Sequence, residues 1–312
     1  MRIVFMGTPD FAVPSLRTLF EAGHDIACVV TAPDKKRGRG QHLSPTPVKA
    51  AAVDMGIPVL EADDLRDPAF ADALRAFNAQ LFVIVAFRIL PEEVFTIPSA
   101  GSFNLHASLL PRYRGAAPIN WALMNGDSES GVTTFFLQKK VDTGNILLQE
   151  RVAMHENMSA GELHDLLAEA GARVVRNTVD VIEKGVAVPQ AQNDEQATPA
   201  PKIWRVTCAV PWEKSAREVH NHIRGLSPHP AAWSTLRGAE MKILESVVSE
   251  EASNGIGGSV VGSDSGLQVQ CGSGSIVIRA LKPEGRKLMS AEEYLRGHRI
   301  EAGERFESIS AN

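Results

Sequence analysis

The chain has 312 residues, of which 44% are hydrophobic and 22% charged, and its formal net charge is −5. Those proportions exclude a disordered chain and describe a globular protein long enough for two domains. The acidic balance excludes a protein that grips nucleic acid over most of its surface, so any RNA contact must be local.

In chain order, the first half alternates between strand and helix patterns. Residues 2–6 and 26–30 are short apolar runs rich in Ile, Val and Phe, and they predict buried strands. Between them, Phe11, Pro14, Leu16 and Leu19 fall at helical spacing over 11–21. Proline is tolerated in a first helical turn. Residues 57–60 and 81–86 read as further strands, with a helix over 68–77 between them. This alternation predicts an α/β domain with a doubly wound, mostly parallel, Rossmann-like sheet. Two loops interrupt it, one over 32–47 and one over 108–118.

Further along, 131–138 reads as a strand, and Ser159-Ala160-Gly161-Glu162 has the form of a capping box that opens a helix. From 185 to 206 the prolines 189, 199 and 201 lie among Gln, Ala and Asn, which reads as an ordered linker crossing the surface. Beyond it, 213–223 has a helical pattern. Four runs, 241–248, 259–261, 267–270 and 275–280, alternate at period two between glycines and predict a small antiparallel, OB-like β-barrel. The expected division is a first domain over 1–188, a linker over 189–206 and a second domain over 207–312.

No apolar run is long enough to cross a bilayer. The opening Met1-Arg2-Ile3-Val4-Phe5-Met6-Gly7 lacks the long apolar core and cleavage site of a secretory signal. Cys28, Cys208 and Cys271 are far apart, which predicts no disulfide framework and fits a reducing cytoplasm. Histidines 155, 164, 220, 222, 229 and 298 show no metal-ligand spacing, and no metal is expected. Trp121, Trp204, Trp212 and Trp233 are expected to fill core or domain-junction space.

The most informative stretch is Phe103-Asn104-Leu105-His106-Ala107-Ser108-Leu109-Leu110-Pro111-Arg112-Tyr113-Arg114-Gly115. On a strand, Asn104 and His106 are two apart and share a face. In open α/β sheets, ligands bind outside the carboxyl ends of the strands. Asp142, in the following Val141-Asp142-Thr143-Gly144, sits in a turn that can return to that face. An amide, an imidazole and a carboxylate suit acyl transfer to an amine. The amide and the ring N–H stabilise an oxyanion, and the carboxylate orients the imidazole and supports proton movement. No Ser or Cys nucleophile stands beside them, so direct attack by the acceptor amine is the simpler route. Asn-x-His alone is common by chance, and a histidine at a strand end often has only a structural hydrogen-bonding role.

Asn104-Leu105-His106, the run Ser108–Gly115 and Asp142-Thr143-Gly144 together resemble the active-site signature of the folate-dependent formyltransferases. Phe5-Met6-Gly7-Thr8-Pro9-Asp10-Phe11-Ala12, Ala197-Thr198-Pro199-Ala200-Pro201-Lys202-Ile203 and Leu281-Lys282-Pro283-Glu284-Gly285-Arg286-Lys287-Leu288-Met289-Ser290 extend the likeness to nearly the whole chain. The resemblance implies Asn104, His106 and Asp142 as the catalytic trio and 10-formyltetrahydrofolate as formyl donor. It also implies a folate pocket at Phe87, Arg88, Ile89, Leu90, Ser108, Leu109, Leu110, Pro111 and Gly115. Many relatives carry a small or Tyr-Gly pair where this chain has Phe87-Arg88.

The acceptor implied is the amine of methionyl initiator tRNA. The basic run Lys35, Lys36, Arg37 and Arg39 would hold its acceptor stem, with Lys202, Lys282, Arg286 and Lys287 as further contacts. A basic run is otherwise usually a solvated surface turn. From Cys208 onward acids and bases nearly cancel, so an ordinary solvated barrel edge remains the competing reading there. A monomer in the cytoplasm is expected. The alternatives are a sugar-nucleotide N-formyltransferase, a formyltetrahydrofolate hydrolase and a non-catalytic RNA-binding module.

Overall fold

In the computed structural model, the described residues are 1–37, 42–249, 255–262 and 266–307, without the side chains of 36, 37 and 42. The elements run β1 (Arg2–Gly7), α1 (Val13–Glu21), β2 (Asp25–Thr31), β3 (Lys35–Arg37), β4 (His42–Ser44), α2 (Pro47–Asp54), β5 (Val59–Glu61), α3 (Pro68–Ala76), β6 (Leu81–Val85) and α4 (Glu92–Phe95). Next come β7 (Ser102–His106), β8 (Arg114–Gly115), α5 (Pro118–Met124), β9 (Glu129–Phe136), β10 (Ile146–Ala153) and α6 (Ala160–Glu183). Then follow β11 (Pro199–Ala200), α7 (Ala216–Leu226), β12 (Ala232–Leu236), β13 (Ala239–Val248), β14 (Val260–Gly262), β15 (Leu267–Gln270), β16 (Ser275–Pro283), β17 (Met289–Ser290), α8 (Ala291–Gly297) and β18 (Phe306–Glu307).

The chain forms two compact units. The first holds Met1–Gly115, Glu129–Ala153 and His164–Pro199, and the second Ala116–Ser128, Met154–Leu163 and Ala200–Asn312.

The first unit is the expected α/β sheet, ordered β10-β9-β7-β6-β1-β2-β5. Strands β1, β2, β5, β6 and β7 are parallel, and β9 and β10 continue it antiparallel. The run Leu81–Val85 is buried throughout, as a strand covered on both faces must be. One face carries Val4, Met6, Cys28, Val30, Phe82 and Ile84 against Phe70, Leu74 and Val94. Each large buried side chain of this kind contributes about 1.5–3 kcal/mol. At the end of β1, a Cβ on Gly7 would lie 2.8 Å from the Ala12 Cβ and 3.0 Å from the Val85 carbonyl, so only glycine lets the chain turn closely past β6.

The second unit is an antiparallel sheet ordered β14-β15-β16-β13-β12-β18, with β17 paired to β16. A bridge between Ser259 and Arg305 carries pairing from the start of β14 to the approach of β18, which itself pairs with β12. The sheet therefore curls back on itself into the expected barrel. Its core includes Trp212, Val219, Ile223, Ile243, Val269, Ile278 and Phe306. Helix α7 opens with a capping box between Ser215 and Glu218, and α8 with one between Ser290 and Glu293.

The loop read over 32–47 contains the β3–β4 pair, with Lys35 opposite Ser44 and Arg37 opposite His42, and ends where α2 begins. Three-residue strands are too short to display a period. The helix read over 213–223 lies at 216–226, because Ser215 is its N-cap. Trp212 and Trp233 are buried as expected, but Trp204 is 59% exposed, with the Lys202 ammonium 4.4 Å from its ring centre. A Lys–Trp contact of this kind keeps the ring in partial contact at the surface without a core. Among the described residues, no helix is long and apolar enough to cross a membrane.

Candidate active site

Strand β7 lies between β6 and β9, with Asn104 in register with Ile84 and Phe135. Asn104 and His106 leave the sheet on the same face at its carboxyl edge, Asn104 half-buried and His106 buried. Among the described residues, no hydrogen bond engages the Asn104 side-chain amide.

His106 Nε2 lies 2.8 Å from the carbonyl oxygen of Tyr113. A carbonyl only accepts, so Nε2 carries the proton and donates it. The tautomer is thereby fixed, and Nδ1 is left facing Asp142, whose Oδ2 is 3.9 Å away. The same Asp142 oxygen accepts a 2.9 Å hydrogen bond from the Gly115 N–H. The imidazole is thus held from one side by a backbone carbonyl and flanked on the other by an almost buried carboxylate.

This arrangement depends on backbone conformations that the residue types do not announce. Tyr113 has φ +60° and Asp142 has φ +55°, both in the left-handed region that non-glycine residues seldom adopt. Several braces hold them there. The Tyr113 N–H donates to Thr198 Oγ1 at 2.9 Å, and the Arg114 N–H donates to the Thr198 carbonyl at 2.9 Å. Gln192 Nε2 donates to the carbonyls of Asp142 and Gly144 at 2.9 and 2.8 Å. Its Oε1 accepts from the Arg114 guanidinium, which also meets Asp194 at 2.7 Å. That guanidinium holds the Asp194 carboxyl below the usual carboxylate range. Gly144 completes the turn, since a Cβ there would fall 1.6 Å from the Phe136 carbonyl oxygen.

A second set of braces fixes the loop after His106. The buried Thr133 hydroxyl donates to the Ser108 carbonyl at 2.6 Å and accepts from the Leu110 N–H at 3.1 Å and from Gln149 Nε2 at 2.9 Å. Gln149 Nε2 also reaches the Leu110 carbonyl at 2.9 Å, and Ser108 Oγ donates to the Arg112 carbonyl at 2.6 Å. Gly131 gives Leu109 its seat, because a Cβ there would lie 2.5 Å from the Leu109 Cδ2. Ser108 and Leu110 are buried, Leu109, Pro111 and Gly115 half-buried.

The residues expected at the pterin pocket follow β6. Ala86 has φ +49°, and 87–90 lie outside helix and strand, so their backbone N–H and C=O groups are not consumed by a sheet ladder. Ile89 is 75% exposed while Leu90 is buried. Arg88 is not free: its guanidinium donates to the carbonyls of Ala62 and Asp63 and lies 5.4 Å from the centre of the Phe87 ring. The Phe87-Arg88 pair therefore ties the loop after β6 to the loop after β5. An exposed apolar side chain beside unladdered backbone suits a flat heteroaromatic ring with donors and acceptors on its edge.

Lys35 is exposed on β3, the side chains of Lys36 and Arg37 are not described, and Arg39 lies outside the described residues. In the second unit, Lys202 stands over Trp204, and Lys282, Arg286 and Lys287 are exposed along β16 and the turn that follows it, where Gly285 has φ +69°. Lys242 stands directly across from Lys282 on β13.

Sequence reasoning missed the Tyr113 carbonyl, Thr133, Gln149, Gln192 and Thr198. Their signals are weak, since each contributes a common polar group through a tertiary contact.

Family models match most of the chain. One described as formyl transferase matches residues 1–179, and one described as formyl transferase, C-terminal domain, matches 202–299. The methionyl-tRNA formyltransferase of Caldanaerobacter subterraneus subsp. tengcongensis is 45% identical over 305 residues, covering 97% of this chain and 99% of that protein. That of Chlorobium luteolum is 47% identical over 310 residues, with coverage of 97% and 99%. Among solved structures, an N-formyltransferase from Helicobacter canadensis in complex with folinic acid and dTDP-3-aminofucose has a TM-score of 0.68 at 20% identity, covering 88% of this chain and 98% of that one. The last likeness speaks to the fold, and the first four to kinship: the chain belongs to the formyltransferase family.

Proposed function

We propose that this protein transfers the formyl group of 10-formyltetrahydrofolate to the amine of methionyl initiator tRNA in the cytoplasm. The observation that carries the chemistry is the convergence of an unpaired Asn104 amide, the His106 Nδ1 edge and the Asp142 carboxylate on one strand-end face. The acceptor is supported by full-length relatives named for it at 45 and 47% identity.

Bound at 87–90, 108–111 and 115, the folate supplies the formyl carbon that the amine attacks. The Asn104 amide donates to the carbonyl oxygen as negative charge builds there. His106 Nδ1 takes the proton that the attacking amine must lose and returns one to the departing nitrogen. While Nδ1 is protonated the ring is a cation, since Nε2–H stays on the Tyr113 carbonyl, and Asp142 stabilises that cation. The polar braces keep these groups in place, so little reorganisation accompanies charge development. The basic residues 35–39 and the domain over 207–312, with Lys202, Lys282, Arg286 and Lys287, hold tRNA phosphates, which position the acceptor without reading its sequence.

The deciding experiment offers 10-formyltetrahydrofolate with methionyl initiator tRNA, free methionine or an amino-sugar nucleotide. Rapid formylation of the tRNA alone is expected. Transfer only to the small amine would leave the trio and remove the tRNA. Release of formate without transfer would replace the reading with a hydrolase.

A further inference from the structure

At the opposite edge of the first sheet, where β1 and β2 begin, a second cluster has no part in this chemistry. His24 immediately precedes β2, and Asp180 and Glu183 lie in the last turn of α6. The two carboxylates are three apart on the helix and share a face. One ligand atom from each of the three residues lies within 4.8 Å of the others.

The imidazole is the unusual member. The His24 side chain is 7% exposed, and its Nε2 is buried with no hydrogen-bond partner. Nε2 lies 3.6 Å from Asp180 Oδ1, and Nδ1 lies 3.9 Å from Glu183 Oε2. Neither is a hydrogen bond, although both carboxylates face the ring. A buried nitrogen left in this state costs free energy unless another group satisfies it. The separations are too long for a shared proton. A single ion takes one ring nitrogen, and the unpartnered Nε2, 3.6 Å from Asp180 Oδ1, stands at about the spacing of two ligands on one ion. Nitrogen and oxygen ligands at about 2.0–2.2 Å from a tetrahedral metal stand roughly 3.3 Å apart.

The surroundings favour a cation. The C-terminal end of a helix as long as α6 carries partial negative charge. Glu183 gives one oxygen, Oε1, to the Met1 ammonium, and that hydrogen bond holds its carboxyl below the usual range. It is therefore ionised, with Oε2 left towards His24. We propose that His24, Asp180 and Glu183 form a structural site for a divalent first-row transition ion, with Zn²⁺ the best fit, water completing its coordination. One imidazole with two carboxylates is a donor set for such borderline ions, whereas Mg²⁺ and Ca²⁺ prefer oxygen alone. The bound ion staples the α1–β2 turn to the end of α6. No local spacing in the sequence announces the site, because its ligands come from distant parts of the chain.

The test uses the full-length protein stripped with a chelator and titrated calorimetrically with ZnCl₂, beside melting curves with ZnCl₂ or MgCl₂. One Zn²⁺ per chain is expected, with a melting temperature that rises by several degrees near 100 times Kd. His24→Ala should abolish binding. Asp180→Asn and Glu183→Gln, at partly exposed positions that tolerate an amide, should each weaken it about tenfold or more, since losing a ligand should cost at least what losing a ligand's supporting neighbour costs. Formyl transfer by Asp180→Asn should match the parent, which separates this site from the catalytic one. Absence of a Zn²⁺ heat and melting shift at millimolar metal would overturn the proposal. So would unchanged binding in all three variants, or an equal response to Mg²⁺.

Discussion

Around His106, the first unit is held by a network of directional polar bonds on residues in conformations that cost free energy, whereas the barrel of the second unit is held mainly by apolar packing. Tyr113 and Asp142 both have positive φ, and Thr133, Gln149, Gln192 and Thr198 together bind the loops that carry them. In the barrel, Trp212 packs against Phe306 with ring centres 5.6 Å apart, and its Nε1 donates to Ser234 Oγ at 3.0 Å. The contrast teaches where precision is needed. A reacting centre requires atoms fixed to a fraction of an ångström, which a network of directional bonds provides. A surface that attracts phosphates requires only charge in the right region on a stable body.

If that division holds, damage to the two regions should read out in different quantities. The largest effect is expected at His106. His106→Ala should lower kcat about 10³-fold or more, because proton transfer and charge stabilisation are lost together. Asp142→Asn should lower it less, by about 10²-fold, since the imidazole keeps its Tyr113 anchor. Both should keep the KM for tRNA within a few-fold in steady-state assays. Near-parental kcat in both variants would remove the trio from the mechanism.

In the barrel, the same severity should appear as stability. Trp212→Ala removes a side chain that is 1% exposed and should cost about 3–5 kcal/mol, measured by urea unfolding. A loss below about 1 kcal/mol would show that the barrel core does not depend on it.

The barrel unit should also be the acid-sensitive one. Burial pushes the His222 imidazole down to about 4, and His220 on the same helix is lowered for the same reason. Their folded values lie below the unfolded value near 6.5. Between about pH 6.5 and 4, therefore, the unfolded chain binds more protons, and stability falls as pH falls through that window. His222 alone sets a loss on the order of 3 kcal/mol across it. His222→Gln should flatten the slope of unfolding free energy against pH. An unchanged slope would place the acid sensitivity elsewhere.

How much of this was visible beforehand follows the same line between packing and directional contact. Continuous apolar runs gave away β1, β2 and β6, and Ser159 with Glu162 marked the start of α6, where Glu162 Oε2 accepts from the Ser159 N–H at 2.8 Å. Strands β10 and β12 and helix α8 escaped, because β10 sets polar and charged side chains on partly buried positions, β12 is five residues long and buried almost throughout, and α8 is short. At the site, period two puts Asn104 and His106 on one face, and the Asp-Thr-Gly turn puts Asp142 near them. The tautomer of His106 was not legible, because it depends on the carbonyl of Tyr113, seven residues on, turned towards the ring by a left-handed backbone that the residue type does not announce. Arg88 shows the converse: its charge is plain in the sequence, yet only the fold reveals that it serves the carbonyls of Ala62 and Asp63.

The smallest expected effect is the one that tests the diffuse side of the contrast. Arg286 and Lys287 are exposed beside the Gly285 turn, so replacing both by Ala removes charge without opening a cavity. Stability should change by no more than about 0.5 kcal/mol. Each lost phosphate contact should lower the salt dependence of log(kcat/KM) by roughly 0.7–0.9 per decade of salt. At low salt the KM for tRNA should rise several-fold while kcat with saturating tRNA stays level. The comparison also has a sharp form: in the His106→Ala background the same double change should alter KM by the same factor, because the two regions act on different steps. A drop in kcat with an unchanged salt slope would mean that these side chains position the acceptor and do not merely attract it.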